Sequence, residues 1–298
     1  MTTPIERALI SLEGLSVGDA FGETAFYTAY SPPSRQELPA GTWPWTDDTH
    51  MALSIVETLF TCGRIDQDAL ALHFARRFIE APYRGYAGGA ALLLTQITQG
   101  ADWRQAAPAL FHGGSYGNGG AMRAAPIGGF FADDPARAAQ EGRLSAMVTH
   151  AHPEGQAGAM AVAAAAAVAA DPHHPAGSEF IQSVLRFTPE GETRRRMEHS
   201  LTIPPTDLRA AMFQLGTGAG VSAQDTVPYC IWCAAYHLDD FADALWWTVG
   251  GLGDCDTTCA IVGGIVALSA PAPADWVAHR EPLPQDWIRA VNRAGGKT

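Results

Sequence analysis

The sequence predicts an all-α protein, and three observations predict it. Apolar residues return every three to four positions in one segment after another. Runs that alternate apolar and polar residues are nearly absent. Of the 298 residues, 47% are hydrophobic and 17% charged, a balance that supports a large core and excludes predominant disorder. The first helix is expected over 51–60, where Leu53, Val56, Leu59 and Phe60 form one stripe. Segment 66–79 repeats the pattern, with Leu70, Phe74 and Phe78 four apart. The same spacing marks 88–97, 136–150, 154–170, 226–237, 240–249 and 257–268. Breakers fall between these segments at Pro32-Pro33, Gly113-Gly114, Asp171-Pro172, Pro204-Pro205 and 271–273. None is long enough for a flexible linker and no repeat is visible, so one domain over 1–298 is expected, frayed from Ala294. Segment 187–207, with Arg194-Arg195-Arg196, is the most polar internal stretch and is expected to cover the surface between two helices.

Charge and targeting signals narrow the function. The formal net charge is −12, from 31 acidic and 19 basic residues, which disfavours nucleic-acid binding through a basic face. Five cysteines, an odd number with no framework, argue against a disulfide-stapled secreted protein. Residues 1–22 carry Glu6, Glu13 and Asp19 and lack a signal-peptide pattern. The longest apolar tract, 157–170, has 14 residues, too few to span a bilayer. A soluble, cytoplasmic, monomeric protein without membrane or nucleic-acid partners is expected.

Three motifs carry chemistry. Thr46-Asp47-Asp48-Thr49 stands directly before a helical run. Helix capping explains one such residue, since a Thr or Asp oxygen satisfies the free amides of a first turn. Two adjacent carboxylates repel each other, however, a cost that a bound divalent cation removes. The second motif, Gly253-Asp254-Cys255-Asp256-Thr257-Thr258, also precedes an apolar helical run. Two distant helices thus begin with paired Asp and a Thr hydroxyl, a hard-oxygen set suited to two Mg²⁺ or Mn²⁺ ions. The third motif runs from Gly113 to Gly120, with five glycines in eight residues, before an expected helix start at Ala121-Met122. Its amides suit an anion such as a phosphate, and that reading is favoured over a mere tight connection between helices, because a plain loop seldom needs so many glycines, each costly in unfolded-state entropy.

Several other residues read as structural. Cys230 and Cys233 have C-x-x-C spacing without a second pair and suit a helix core. Trp43 and Trp45 flank the first acidic motif, as packing residues or as a cleft wall. Arg123 is either a surface helix residue or a helper in anion binding.

In order along the chain, Gly18-Asp19-Ala20-Phe21-Gly22, Thr46-Asp47-Asp48-Thr49, Gly114-Ser115-Tyr116-Gly117-Asn118-Gly119-Gly120-Ala121-Met122-Arg123, Thr149-His150 and Gly253-Asp254-Cys255-Asp256-Thr257 resemble the ADP-ribosylglycohydrolase family. The likeness runs from Leu9 to Leu268 and is closer to the branch that acts on ADP-ribosylated serine and poly(ADP-ribose). It implies a compact orthogonal bundle of helices with two divalent metal ions, Mg²⁺ or Mn²⁺. Carried over, Thr46, Asp47, Asp48, Asp254, Asp256 and Thr257 are the implied metal ligands. Gly114, Ser115, Tyr116, Gly117 and Asn118 are implied to hold the diphosphate and ribose, and His150 to line the ADP-ribose pocket. The implied activity is metal-dependent cleavage at the anomeric carbon of ADP-ribose in proteins, polymer or O-acetyl-ADP-ribose.

Two positions depart from the family pattern. Cys255 replaces the middle Thr of the last motif. Phe26 stands where many members carry a catalytic or gating Glu, which leaves Glu23 as the nearby candidate. A two-metal phosphoesterase and a non-catalytic ADP-ribose binder are the competing classes.

Overall fold

Small residues decide how closely the helices of this protein approach. The computed structural model describes residues 2–27 and 37–284. Pro32-Pro33 and the tail from Ala294 lie outside them. Fifteen α-helices follow one another among the described residues. They are α1 (Pro4–Thr24), α2 (Asp47–Cys62), α3 (Gln67–Glu80), α4 (Gly88–Thr98), α5 (Trp103–Ala109), α6 (Ala125–Phe130), α7 (Pro135–Met147) and α8 (Pro153–Ala169). Then come α9 (Gly177–Leu185), α10 (Glu192–Ser200), α11 (Leu208–Leu215), α12 (Ala223–Tyr236), α13 (Phe241–Val249), α14 (Cys255–Val266) and α15 (Ala274–His279). No strand occurs among the described residues; only two isolated bridges form, Trp43 with Arg280 and Gly117 with Ser222. All eight helices expected from apolar spacing are present, with ends shifted by a few residues.

The first helix escaped the spacing argument. Thr3 and Glu6 close a reciprocal capping box and Pro4 opens the first turn, so α1 starts firmly. Every residue from Gly14 to Gly22 is buried, so no polar face marks the period. Gly14, Gly18 and Gly22 line one side, four apart, and lie on the backbone of α14. A Cβ on Gly18 would stand 2.1 Å from the Cys259 carbonyl oxygen, and one on Gly22 2.2 Å from that of Cys255. These two helices therefore touch backbone to backbone, without intervening side chains. A second such seam joins α6 and α7 to the alanine-rich α8, where a Cβ on Gly128 would meet the Ala163 oxygen at 2.2 Å. The apolar tract 157–170 forms this buried α8, and no described helix is long and apolar enough to cross a membrane.

Three expectations need correction. Segment 187–207 contains α10, whose Thr193, Met197 and Ser200 are buried while Glu192 pairs with Arg195 and Arg196 on the outer side. Its charges form a solvated face that hides a helical stripe. No helix starts at Ala121-Met122; the glycine-rich loop ends in a short 3₁₀ turn at Asn118–Gly120, and α6 begins at Ala125. Arg123 lies in that connection and is fully buried rather than on the surface.

Gly18→Ala is expected to destabilise the protein by about 1–3 kcal/mol or more, because neither backbone can give way. Gly88→Ala, where a Cβ meets nothing within 4 Å, serves as the control. It should stay neutral or add about 0.4–1 kcal/mol in urea unfolding. Equal stability of the two variants would contradict the close-packed seam.

Candidate active site

A buried carboxylate on α1 organises the site. Asp19 accepts four hydrogen bonds from the start of α2: Thr46 N and Oγ1 at 2.9 and 2.8 Å, and Thr49 N and Oγ1 at 3.0 and 2.5 Å. Burial still pushes its carboxyl up to about 6, against these stabilising donors. The glycine seam holds the start of α14 against the same end of α1. The two acidic helix starts, far apart in sequence, thereby meet. Thr257 Oγ1 donates to Asp48 Oδ2 at 3.4 Å, across 209 positions of chain.

The glycine loop joins them. Asn118 Nδ2 donates to Asp254 Oδ2 at 2.6 Å and to Thr226 Oγ1 on α12 at 3.1 Å. A cavity of about 250 Å³ opens at this junction. Asp47, Asp254, Asp256 and Thr257 line one wall, and Ser115, Gly117, Asn118 and His150 another. Asp48 and Thr46, on either side of Asp47 in sequence, are buried and outside the lining. Gly114 and Tyr116 lie outside the lining, with Tyr116 half-exposed and its ring edge-on to His152. Glu23 is also off the wall, half-buried one residue beyond the Gly22–Cys255 contact, and accepts from the Tyr27 hydroxyl at 3.3 Å. Burial raises its carboxyl pKa. Trp43 and Trp45 pack in the core, away from the cavity.

Capping accounts for only part of the acidic motifs. Thr46 caps α2, accepting from Asp48 N, but Asp254 makes no side-chain cap on α14. Burial pushes Asp47 up to about 7 and Asp48 and Asp256 well above the carboxylate range, and the neighbouring acids push further in the same direction. Asp48 Oδ1 and Asp256 Oδ1 are sealed from solvent and have no hydrogen-bond partner. Buried, mutually repelling and partly unsatisfied carboxylates fit a hard divalent cation, which supplies the missing partner and cancels the repulsion. Among the described residues, no group of three or more His, Cys, Asp or Glu side chains stands ready to hold a metal ion. Thr hydroxyls and water would have to complete the shell, as Mg²⁺ tolerates.

Part of the loop's glycine content has a packing cause. Gly114 has φ +93°, and a Cβ there would press 2.6 Å from Ala151 Cβ. A Cβ on Gly119 would stand 3.0 Å from the His150 ring. Phe111 and His112, just upstream, also take positive φ, as does Val221 on the opposite lip. Such strained non-glycine residues cluster at ligand sites. Reading by motif missed several contributors: Asp19 as the hub, the backbone at Gly85 and Ala87, and Val221, all but Asp19 lining the cavity. The available signal for Asp19 was a carboxylate set between two glycines four apart, Gly18 and Gly22, in the most apolar part of the helix.

Comparison with known proteins places these features in context. The family model described as ADP-ribosylglycohydrolase matches residues 1–296. The chain is 28% identical over 260 residues to "ADP-ribosylhydrolase ARH3" of Danio rerio, covering 76% of this chain and 69% of that protein. It is 22% identical over 285 residues to "ADP-ribosylarginine hydrolase Tri1" of Serratia proteamaculans, covering 88% and 70%. A solved structure, "ADP-ribosylglycohydrolase-related protein complex", superposes with a TM-score of 0.62 at 21% identity, over 99% of this chain and 96% of that one.

With divalent cations chelated, Asp48→Asn is expected to raise stability by about 1–3 kcal/mol, since it removes a buried charge among like charges. Excess Mn²⁺ should raise the melting temperature of the unsubstituted protein and leave the variant nearly unmoved. A variant that melts lower in chelator would contradict this electrostatic account.

Proposed function

Because the chain belongs to the ADP-ribosylglycohydrolase family, we propose that it is a two-metal ADP-ribosyl hydrolase that cleaves the bond between an acceptor and the anomeric carbon of ADP-ribose. The observation that supports this reading is the convergence of two paired-Asp helix starts and the glycine loop on one cavity. The activities named for the Danio rerio and Serratia proteamaculans relatives support the reaction type. The substrates proposed are ADP-ribosylated proteins, poly(ADP-ribose) and O-acetyl-ADP-ribose.

Thr46, Asp47, Asp48, Asp254, Asp256 and Thr257 would hold two Mg²⁺ or Mn²⁺ ions. Bound there, the ions would supply Lewis-acid charge and acidify a water. The chain's own residues do the rest. Ser115 would offer its hydroxyl and Asn118 its carboxamide oxygen to the diphosphate and ribose, with Gly114, Tyr116 and Gly117 shaping the loop, since the Gly117 amide donates to Ser115 Oγ and the Asn118 Nδ2 group to Asp254 and Thr226. Asn118 also ties that loop to Asp254, so ligand wall and acidic wall keep one spacing. His150 is buried, which lowers its pKa to about 3 and keeps it neutral at physiological pH. Cleavage at the anomeric carbon builds positive charge in the sugar and calls for a carboxylate not engaged by the ions. Glu23, outside the acidic cluster and with its pKa raised, is the proposed general acid–base.

Glu23 stands off the cavity lining, and that placement favours one competing reading, an ADP-ribose binder without turnover. Incubation of a panel of ADP-ribosylated substrates with Mg²⁺ or Mn²⁺ separates the readings. Release of ADP-ribose with its diphosphate intact, abolished by chelation, is expected. Release of AMP would mark a phosphoesterase, and binding without turnover a reader. Glu23→Ala should cut kcat by about 10²–10⁴-fold while Mn²⁺ binding is unchanged. Unaltered turnover would remove Glu23 from the mechanism.

A further inference from the structure

His150 has two ring nitrogens, and its surroundings assign them different tasks. Nδ1 lies 2.7 Å from the hydroxyl of Thr149, which is itself buried. That hydroxyl accepts from Arg123 Nη2 at 2.8 Å. Arg123 is fully buried and held from several directions: it donates to the Gly119 carbonyl at 2.9 Å and the Ser145 carbonyl at 3.0 Å, and its guanidinium lies over the Phe74 ring. A guanidinium only donates. One Thr149 lone pair is therefore taken, and its hydrogen needs an acceptor. No acceptor other than Nδ1 stands within reach among the described residues. If Nδ1 carried the proton, the hydroxyl hydrogen of Thr149, a residue 2% exposed, would lose its acceptor among the described residues, an expensive arrangement.

We propose that Arg123 and Thr149 act as positioning residues that lock His150 in its Nε2–H tautomer, so that a fixed hydrogen-bond donor faces the cavity. The Nε2 edge faces the glycine loop: a Cβ on Gly119 or Gly117 would lie 3.2 or 3.3 Å from it. No described residue accepts from Nε2, and His150 lines the cavity, so the donor is available to a phosphate or hydroxyl oxygen of a ligand. Arg123 serves twice. Its cation sets the direction of the relay and opposes a second proton on the ring, and its bond to Gly119 fixes the loop against the same ring. The proposal rests on the reading of the cavity as an ADP-ribose site, but the tautomer itself does not.

Long-range ¹H–¹⁵N spectra of the ¹⁵N-histidine-labelled full chain test it, with the signal identified by its loss in His150→Gln. A bare Nδ1 and a protonated Nε2 are expected in the unsubstituted protein and in Thr149→Ser. Thr149→Val, which keeps the shape and loses the hydroxyl, should give mixed tautomers. It should also weaken ADP-ribose binding by about tenfold, the scale of one lost hydrogen bond, with Thr149→Ser restoring it. A protonated Nδ1 in the unsubstituted chain, or an unchanged tautomer in Thr149→Val, would overturn the relay. The expected tautomer in a chain that fails to bind ADP-ribose would uphold the relay and overturn the functional reading alone.

Discussion

The backbone contact between α1 and α14 is the constraint on which the rest of this structure depends. Glycines at positions 14, 18 and 22 let the two helices touch without side chains between them. That contact sets where α14 begins, and so where Asp254 and Asp256 stand. One residue along from Gly18, Asp19 takes four hydrogen bonds from Thr46 and Thr49 and so sets where α2 begins. A single helix therefore acts as a jig for two others. Its glycine side fixes one acidic start and its carboxylate the other. Side chains of ordinary size on α1 would separate the ends by several ångströms, and no local rearrangement of Asp residues would recover the meeting.

The assembled site is costly to the fold. Asp48 and Asp256 each bury a carboxylate oxygen without a partner, inside a protein already at −12. Like charges held together in low dielectric oppose folding, and such stored opposition is characteristic of functional sites rather than of structural ones. The seam between α1 and α14 and the alanine-lined packing of α6 to α8 offset that cost. The same logic resolves the long-range repulsion expected between an acidic protein and an anionic ligand. Screening limits the reach of net charge to about 8 Å at physiological salt, so local groups decide binding. Locally, the buried Arg123 lines the cavity, and the proposed cations would add their charge there.

Legibility in the sequence followed contrast. Apolar runs stood out by helical spacing, and all eight segments read that way are helical, including α8 and α14, which are buried on nearly every side. The acidic starts stood out because paired Asp before an apolar run is rare in a helix needing only one cap. Helix α1 had little contrast, because Gly14 to Gly22 is buried on every side and mixes glycine, serine and aspartate with apolar residues, and its G-x-x-x-G-x-x-x-G spacing signals close approach instead of amphipathicity. Arg194, Arg195 and Arg196 gave the opposite error: surface charges masked the stripe of Thr193 and Met197 in α10. Arg123 stayed open between a surface residue and a helper in anion binding, because nothing adjacent in sequence reveals that Ser145, Thr149 and Gly119 surround it. Gly85, Ala87 and Val221 reach the cavity through backbone placement, which side-chain patterns do not encode.

The family pattern and the physical reading meet in one statement, that α1 brings two acidic helix starts close enough to share divalent cations. Counting bound Mn²⁺ tests it most directly. Titration of the metal-free full-length chain, followed by the electron paramagnetic resonance of free Mn²⁺, is expected to show two ions taken up per chain. A chain that binds none at millimolar Mn²⁺ would contradict the account at its base.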